Sequence, residues 1–178
     1  MTKIAVLVGS LSRDSINKKL ANNLESLMPE HVEIIYGRMD LPLFNYELES
    51  EFPQEARELK DVIEAADGVL LVSPEYNRTT TAVMKNAIDW ASRPWGDNSF
   101  KGKPAGIVGA SSGPLGTSQA QGHLRSVMVY LEAKLLGQPE VYLNGTTALD
   151  ESGVVVEGSR EFLQRYVDAF IAHVEAYK

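Results

Sequence analysis

The segment Gly9-Ser10-Leu11-Ser12-Arg13-Asp14-Ser15-Ile16-Asn17 gathers hydroxyl, amide and guanidinium donors in one short stretch ahead of a helical pattern. A helix beginning here offers unpaired N–H groups and the positive end of its dipole, which attract an anion, and Ser10, Ser12, Ser15 and Asn17 add side-chain donors. The segment lacks the glycine triplet of a dinucleotide fingerprint and the lysine of a nucleoside-triphosphate loop, so a terminal monophosphate is the anion it suits. The plainer role for Ser12, Asp14 or Ser15 is to cap the helix.

A second segment, Ser73-Pro74-Glu75-Tyr76-Asn77, follows the apolar run Gly68 to Val72 and predicts a rigid turn whose amides can meet a flat ligand with a polar edge. Glu75 could donate a proton there, although a carboxylate at a strand end is more simply a surface or interface group. Tyr76 either covers the ligand or packs in the turn. The third segment, Ala110-Ser111-Ser112-Gly113-Pro114-Leu115-Gly116-Thr117, has glycines that let main chain approach a ligand closely. Gly109 to Gly113 also fits G-x-S-x-G, with His123 as a conceivable base for an esterase. Against that, Pro114 and Gly116 delay the next helix and the histidine falls out of the hydrolase order. His123 reads instead as a polar position on a helix whose Leu124, Val127 and Leu131 face inward. Asn77-Arg78-Thr79 and Asn144-Gly145-Thr146 match the glycosylation pattern, but read as turns and a helix cap.

These segments need a frame. Strand-like runs at Ile4 to Val8, Val32 to Tyr36, Gly68 to Val72, Ala105 to Ala110 and Val141 to Leu143 alternate with segments of helical period. The helical faces are Ile16/Leu20/Leu24/Leu27, Ala56/Leu59/Ile63/Ala66, Val83/Ala87/Ile88/Ala91, Leu124/Val127/Leu131/Leu135 and Leu163/Val167/Phe170/Val174. Right-handed crossovers then predict an α/β three-layer sandwich with a five-stranded parallel sheet in the flavodoxin-like order 2-1-3-4-5. A closed eight-fold barrel needs about 250 residues and is excluded by length. The first and third segments of turn, and the one after strand three, gather at the carboxyl edge of this sheet. The connections Arg38 to Phe52 and Arg93 to Lys103 are the longest irregular stretches, the kind that form lids or interfaces.

The 178 residues predict a single domain spanning 1–178, with no repeat or linker. Seventeen lysines and arginines against 24 acids leave a net charge of −7, which opposes nucleic acid as a partner. There is no cysteine for a disulfide or thiol nucleophile, and His31, His123 and His173 lack zinc-ligand spacing. The apolar run after Met1 is too short for a signal sequence and no run reaches spanning length, so a cytoplasmic protein with no membrane partner is expected.

Taken together, Gly9-Ser10-Leu11 with Ser15-Ile16-Asn17, Pro74-Glu75-Tyr76-Asn77, Lys85-Asn86-Ala87-Ile88-Asp89-Trp90 and the Gln121 to Arg125 block resemble the NAD(P)H-dependent FMN reductase family, which includes chromate, quinone and azo-dye reductases. The resemblance runs from Ile4 to about Pro139. It implies that Ser10, Arg13, Ser15, Ile16 and Asn17 hold the FMN phosphate, that Pro74, Glu75, Tyr76 and Asn77 meet the polar edge of the isoalloxazine, and that Ser111, Ser112 and Gly113 close the other side of the ring. Relatives often carry arginine directly after Gly-Ser-Leu, where this chain has Ser12 followed by Arg13.

The resemblance further implies NADPH or NADH as co-substrate, a small-molecule electron acceptor, a ping-pong cycle without a catalytic side chain, and a homodimer or homotetramer. Trp90 and Trp95 would then belong to a subunit interface or an active-site wall. The rival is a flavodoxin-type electron carrier, for which Glu47, Glu49, Glu51 and Glu55 would form an acidic docking rim. A phosphoacceptor domain does not fit, since Gly9 and Ser73 stand where it needs aspartate.

Overall fold

A computed structural model describes all residues from Met1 to Lys178. The strands are β1 (Thr2–Val8), β2 (Val32–Tyr36), β3 (Gly68–Val72), β4 (Pro104–Ser111), β5 (Lys134–Leu135) and β6 (Val141–Asn144). The helices are α1 (Ile16–Leu27), α2 (Gln54–Ala65), α3 (Ala82–Ala91), α4 (Ser118–Tyr130), the short α5 (Gly145–Ala148) and α6 (Glu157–Ala176). All strand pairs are parallel, in the order β2-β1-β3-β4-β5, with β6 also on β4. This is the expected flavodoxin-like order.

Strand alternation divides the core into two layers. Ile4, Val6, Val8, Leu70, Val72, Val108 and Ala110 point to one face, which α1 and α6 cover with Leu20, Leu24, Leu163, Phe170 and Val174. Ala5, Leu7, Val69, Leu71, Ala105 and Ile107 point to the other, beneath Leu59 and Ile63 of α2, Ile88 of α3 and Leu124 of α4. With both faces covered, β3 is buried throughout, which is why its sequence shows no polar alternation.

The fifth lane of the sheet differs from expectation. Leu135 has helical spacing from Leu131, yet α4 ends at Tyr130 and Glu132 takes a left-handed conformation (φ 61°) that turns the chain back. Lys134 and Leu135 then pair with Pro104 and Ala105, while Val141 to Asn144 pair with Val108 to Ser111. One edge lane is thus built from two short strands. The Arg38 to Phe52 connection is not wholly irregular either, because Tyr46–Glu51 forms a 3-10 helix capped by Asn45. Trp90 anchors that connection: it is fully buried, donates Nε1–H to Pro42 O at 2.8 Å and receives the edges of Phe44 and Phe52. Trp90 is therefore a core residue and belongs neither to an exposed interface nor to a site wall, whereas Trp95 is 78% exposed.

Candidate active site

The three chemistry-bearing segments meet at the carboxyl edge of β1, β3 and β4, where an open parallel sheet binds its ligands. Side-chain bonds tie them into one unit. Thr81 caps α3 by accepting from Met84 N–H at 3.2 Å and donates its hydroxyl to Gly9 O at 2.7 Å, which ties the first loop to α3. Asn17, in the first turn of α1, donates Nδ2–H to Ala110 O at 2.8 Å and accepts from Ala110 N–H at 2.9 Å, fixing the same loop to the end of β4.

Between these ties, no main-chain N–H from Leu11 to Asn17 donates to a protein acceptor. Such a row of unanswered donors at a helix start is an anion cradle, and it fits the phosphate of a flavin mononucleotide. Ser15 caps α1 by accepting from Lys18 N–H at 3.3 Å, which leaves its own O–H free to donate. Ser10 is buried, Arg13 is exposed and enters no ion pair, and Lys18 Nζ donates to Ser12 O at 2.9 Å. Two expectations shift here. The Asn17 amide is engaged at both ends by Ala110, so its side chain braces the cradle. The Ile16 side chain packs beneath Gly145, where it lies within 2.5 Å of a hypothetical Cβ, so only its N–H borders the cradle.

The second loop is a tight hairpin. Tyr76 and Thr79 exchange both main-chain hydrogen bonds at 3.0 Å around Asn77 (φ 50°) and Arg78 (φ 65°), both left-handed. Non-glycine residues in that conformation carry strain that the surrounding structure must hold. Pro74 is buried, Tyr76 is exposed, and the N–H groups of Glu75, Asn77 and Arg78 have no protein acceptor. Glu75 Oε2 accepts from Gln119 N–H at 3.0 Å and Ala120 N–H at 3.1 Å, while Oε1 lies 3.5 Å from Arg78. Its carboxylate thus caps α4, whose own N-cap Thr117 makes no such bond. The expected surface or interface role for the Glu75 side chain gives way to this cap.

Glu75, Asn77, Arg78 and the Ser111 to Gly116 loop surround a cavity of about 290 Å³. Ser111 Oγ donates to Gly116 O at 2.5 Å and accepts from Gly113 N–H at 3.3 Å, so the loop folds around its hydroxyl. Gly116 is obligatory: its φ is 56°, and a Cβ would stand 2.7 Å from Tyr142 C. Gly109 serves close packing, since a Cβ there would stand 2.2 Å from Ser73 O. His123 Nδ1 meets Thr79 Oγ1 at 2.8 Å, and Ser111 is engaged by Gly116, so no Ser–His pair exists and the esterase reading is set aside. Thr81 and Arg78 are site residues that the sequence pattern does not single out, while the Pro114 to Gly116 turn belongs to the third segment. A threonine directly before the apolar helix start Ala82-Val83-Met84 is a legible cap, whereas nothing in the sequence marks Arg78.

Of the four acids Glu47, Glu49, Glu51 and Glu55, Glu47 and Glu51 are exposed and enter no ion pair. Glu49 is paired with Arg93 at 3.7 Å, and Glu55 with Arg38 at 3.8 Å. No helix is long and apolar enough to cross a membrane.

A parallel sheet in this order, with an amide-lined cradle after β1 and a cavity between the loops after β3 and β4, defines a mononucleotide-binding flavodoxin-like protein. Residues 2–148 match the family described as NADPH-dependent FMN reductase, and the chain belongs to that family. It is 47% identical over 175 residues to a 2-hydroxy-1,4-benzoquinone reductase of a Burkholderia species, covering 97% of this chain and 96% of that one. It is 40% identical over 175 residues to a quinone reductase of Pseudomonas putida, covering 97% and 94% of the two chains. Among solved structures, the flavoenzyme NAD(P)H:(acceptor) oxidoreductase of Paracoccus denitrificans superposes with a TM-score of 0.93 at 40% identity, covering 99% of both chains. The protein is thus a flavoenzyme oxidoreductase whose family uses FMN and NAD(P)H.

Proposed function

We propose that this protein reduces small-molecule acceptors, quinones foremost, with NAD(P)H in a ping-pong cycle: NAD(P)H, a proton and a quinone give NAD(P)⁺ and hydroquinone. FMN held in the site would supply the redox chemistry, a two-electron relay between the nicotinamide hydride and the acceptor. The cradle of free amides from Leu11 to Asn17 carries this reading. It would hold the phosphate with Ser10, the Ser15 hydroxyl and the α1 dipole, and the exposed Arg13 guanidinium would add charge from solvent.

Pro74 to Asn77 and Ser111 to Gly113 would flank the ring. The unpaired N–H groups of Glu75, Asn77 and Arg78 are fixed dipoles that favour negative charge at the polar edge of a reduced ring. No side chain near the cavity need transfer a proton, because Glu75 is occupied with α4 and an open site lets solvent protonate the product. Azo dyes, free flavin and metal oxyanions are further acceptors for a site that selects by stacking. A cytoplasmic homodimer or homotetramer is the assembly we propose; the exposed Trp95 and Tyr130, beside a cavity of about 630 Å³ between α3 and α4, support self-association there.

The test is anaerobic stopped-flow absorbance of the FMN-loaded protein. NAD(P)H should bleach the flavin band in the absence of acceptor, and a quinone added afterwards should restore it. A band unchanged for minutes would instead favour a flavodoxin-type carrier.

A further inference from the structure

A second cavity, of about 480 Å³, opens on the opposite flank of the first loop between the carboxyl ends of β1 and β2. Ser10 and Leu11 form its wall toward the cradle, and Tyr36, Arg38, Met39 and Asp40 form the rest. Tyr36 exposes 43% of its surface, and its hydroxyl donates to Glu25 at 2.7 Å, so the ring is held with a face available for stacking. Leu11 and Met39 supply apolar contact. Arg38 is already answered by two carboxylates, Glu58 at 3.3 Å and Glu55 at 3.8 Å. Asp40, by contrast, is exposed and enters no hydrogen bond or ion pair within the chain.

An aromatic face, an apolar floor and a free carboxylate acceptor suit a planar heteroaromatic base joined to a vicinal diol. Adenosine is such a group. A phosphate in place of one hydroxyl would meet the unpaired Asp40 carboxylate, while Arg38 is held by Glu55 and Glu58 and the Lys18 ammonium donates to Ser12 O on the cradle side. Lys18 stands at the junction with the cradle, lining this cavity while its Nζ reaches Ser12 O.

We infer that this cavity receives the adenosine half of the reducing dinucleotide, and that Asp40, with Arg38 restrained by Glu55 and Glu58, selects NADH over NADPH. The inference rests on the reading of the chain as a reductase whose bound flavin is reduced by NAD(P)H.

The test is calorimetric titration of the FMN-loaded protein with ADP-ribose and with its 2′-phosphate, alongside initial rates with NADH and NADPH. ADP-ribose should bind about tenfold more tightly than the 2′-phosphate form, the scale of one charge-assisted hydrogen bond. Asp40→Ala should weaken ADP-ribose about tenfold and raise the KM for NADH with little change in kcat. The double variant Glu55→Gln/Glu58→Gln should free Arg38 and strengthen binding of the 2′-phosphate form while leaving ADP-ribose unchanged. Tighter binding of the 2′-phosphate form by the unaltered protein, or affinities indifferent to both variants, overturns the inference while leaving the reductase reading intact. Oxidation of neither dinucleotide overturns the reductase reading and the inference with it.

Discussion

Asn17 and Ala110 pair as two strands would: the side-chain amide of one donates to the carbonyl and accepts from the N–H of the other, at 2.8 and 2.9 Å. The bond pair joins the first turn of α1 to the last residues of β4, so the loop after β1 and the loop after β4 are fixed to one another. Asn17→Ala would leave both main-chain groups of a buried residue unanswered. It should lower the stability of the flavin-free protein by about 2–4 kcal/mol, read from urea unfolding, and weaken FMN as a consequence. Ser15→Ala removes a donor at the cradle and one cap, costing about 1 kcal/mol of stability. If Asn17→Ala matched wild type in unfolding while losing FMN, the amide would have to be a direct phosphate ligand.

Glu75 offers a second test of how the loops are coupled. Its carboxylate accepts from two N–H groups at the start of α4 and is held over them by Arg78. Glu75→Ala should cost about 1–2 kcal/mol, as a lost cap does, and Glu75→Gln should recover part of it because an acceptor oxygen remains while the charge that favours a helix start is gone. Flavin release should speed in the same order, measured by fluorescence on dilution. Equal stability for all three proteins would remove the cap from the account.

The strand order and both core layers were legible because burial on two faces leaves unbroken apolar runs such as Val69 to Val72, and helices repeat their apolar residues every three or four positions. What escaped was decided by single residues in unfavourable local states. Glu132 turns the chain in a left-handed conformation usually taken by glycine, so the Leu131/Leu135 spacing read as helix when Leu135 lies in β5. That the three loops meet at one sheet edge was legible in the sequence, but the bonds among them were not. Asn17 and Ala110 are 93 positions apart, and no local pattern can show that a donor near an anion loop is answered by a distant strand end.

Lys60 is fully buried and donates to Asp97 O at 2.7 Å and Ser99 Oγ at 2.8 Å, with Asp97 and Glu64 carboxylates each 3.5 Å from Nζ. It ties α2 to the connection that carries Trp95. Truncation strands several acceptors at once, so Lys60→Ala should cost about 3–5 kcal/mol. The 93–103 stretch should also become the first site of limited proteolysis. Cleavage elsewhere, with an unchanged unfolding midpoint, would contradict the anchoring role.

Tyr166 points the other way. Its ring stacks with Phe170, but its buried hydroxyl has no hydrogen-bond partner and stands where a Cβ on Gly106 would be, at 2.4 Å. Burial pushes the phenol well above its usual value, so it is neutral at all working pH. Removing an unanswered hydroxyl relieves desolvation without opening more than a small gap, so Tyr166→Phe should be neutral or stabilising by about 1 kcal/mol. A loss of 2 kcal/mol or more by thermal unfolding would mean that the hydroxyl is satisfied in solution.

Asp67 sets an acid limit on stability. Lys3 N–H donates to its carboxylate at 2.8 Å, Asp67 N–H donates back to Lys3 O at 2.8 Å, and Lys178 Nζ stands 3.2 Å away. The main-chain bond from Lys3 is the chief cause that holds this carboxyl below its ordinary range, with Lys178 and Lys103 adding to it against partial burial. Because the folded value lies below the unfolded one of about 3.9, the stabilisation is complete above that pH and is lost as pH falls through the folded value. Asp67→Asn should therefore lower the unfolding midpoint at pH 7 and flatten its decline below about pH 4, compared with the unaltered protein across the same series. A variant whose acid limb runs parallel to wild type would assign the pH dependence to other carboxylates.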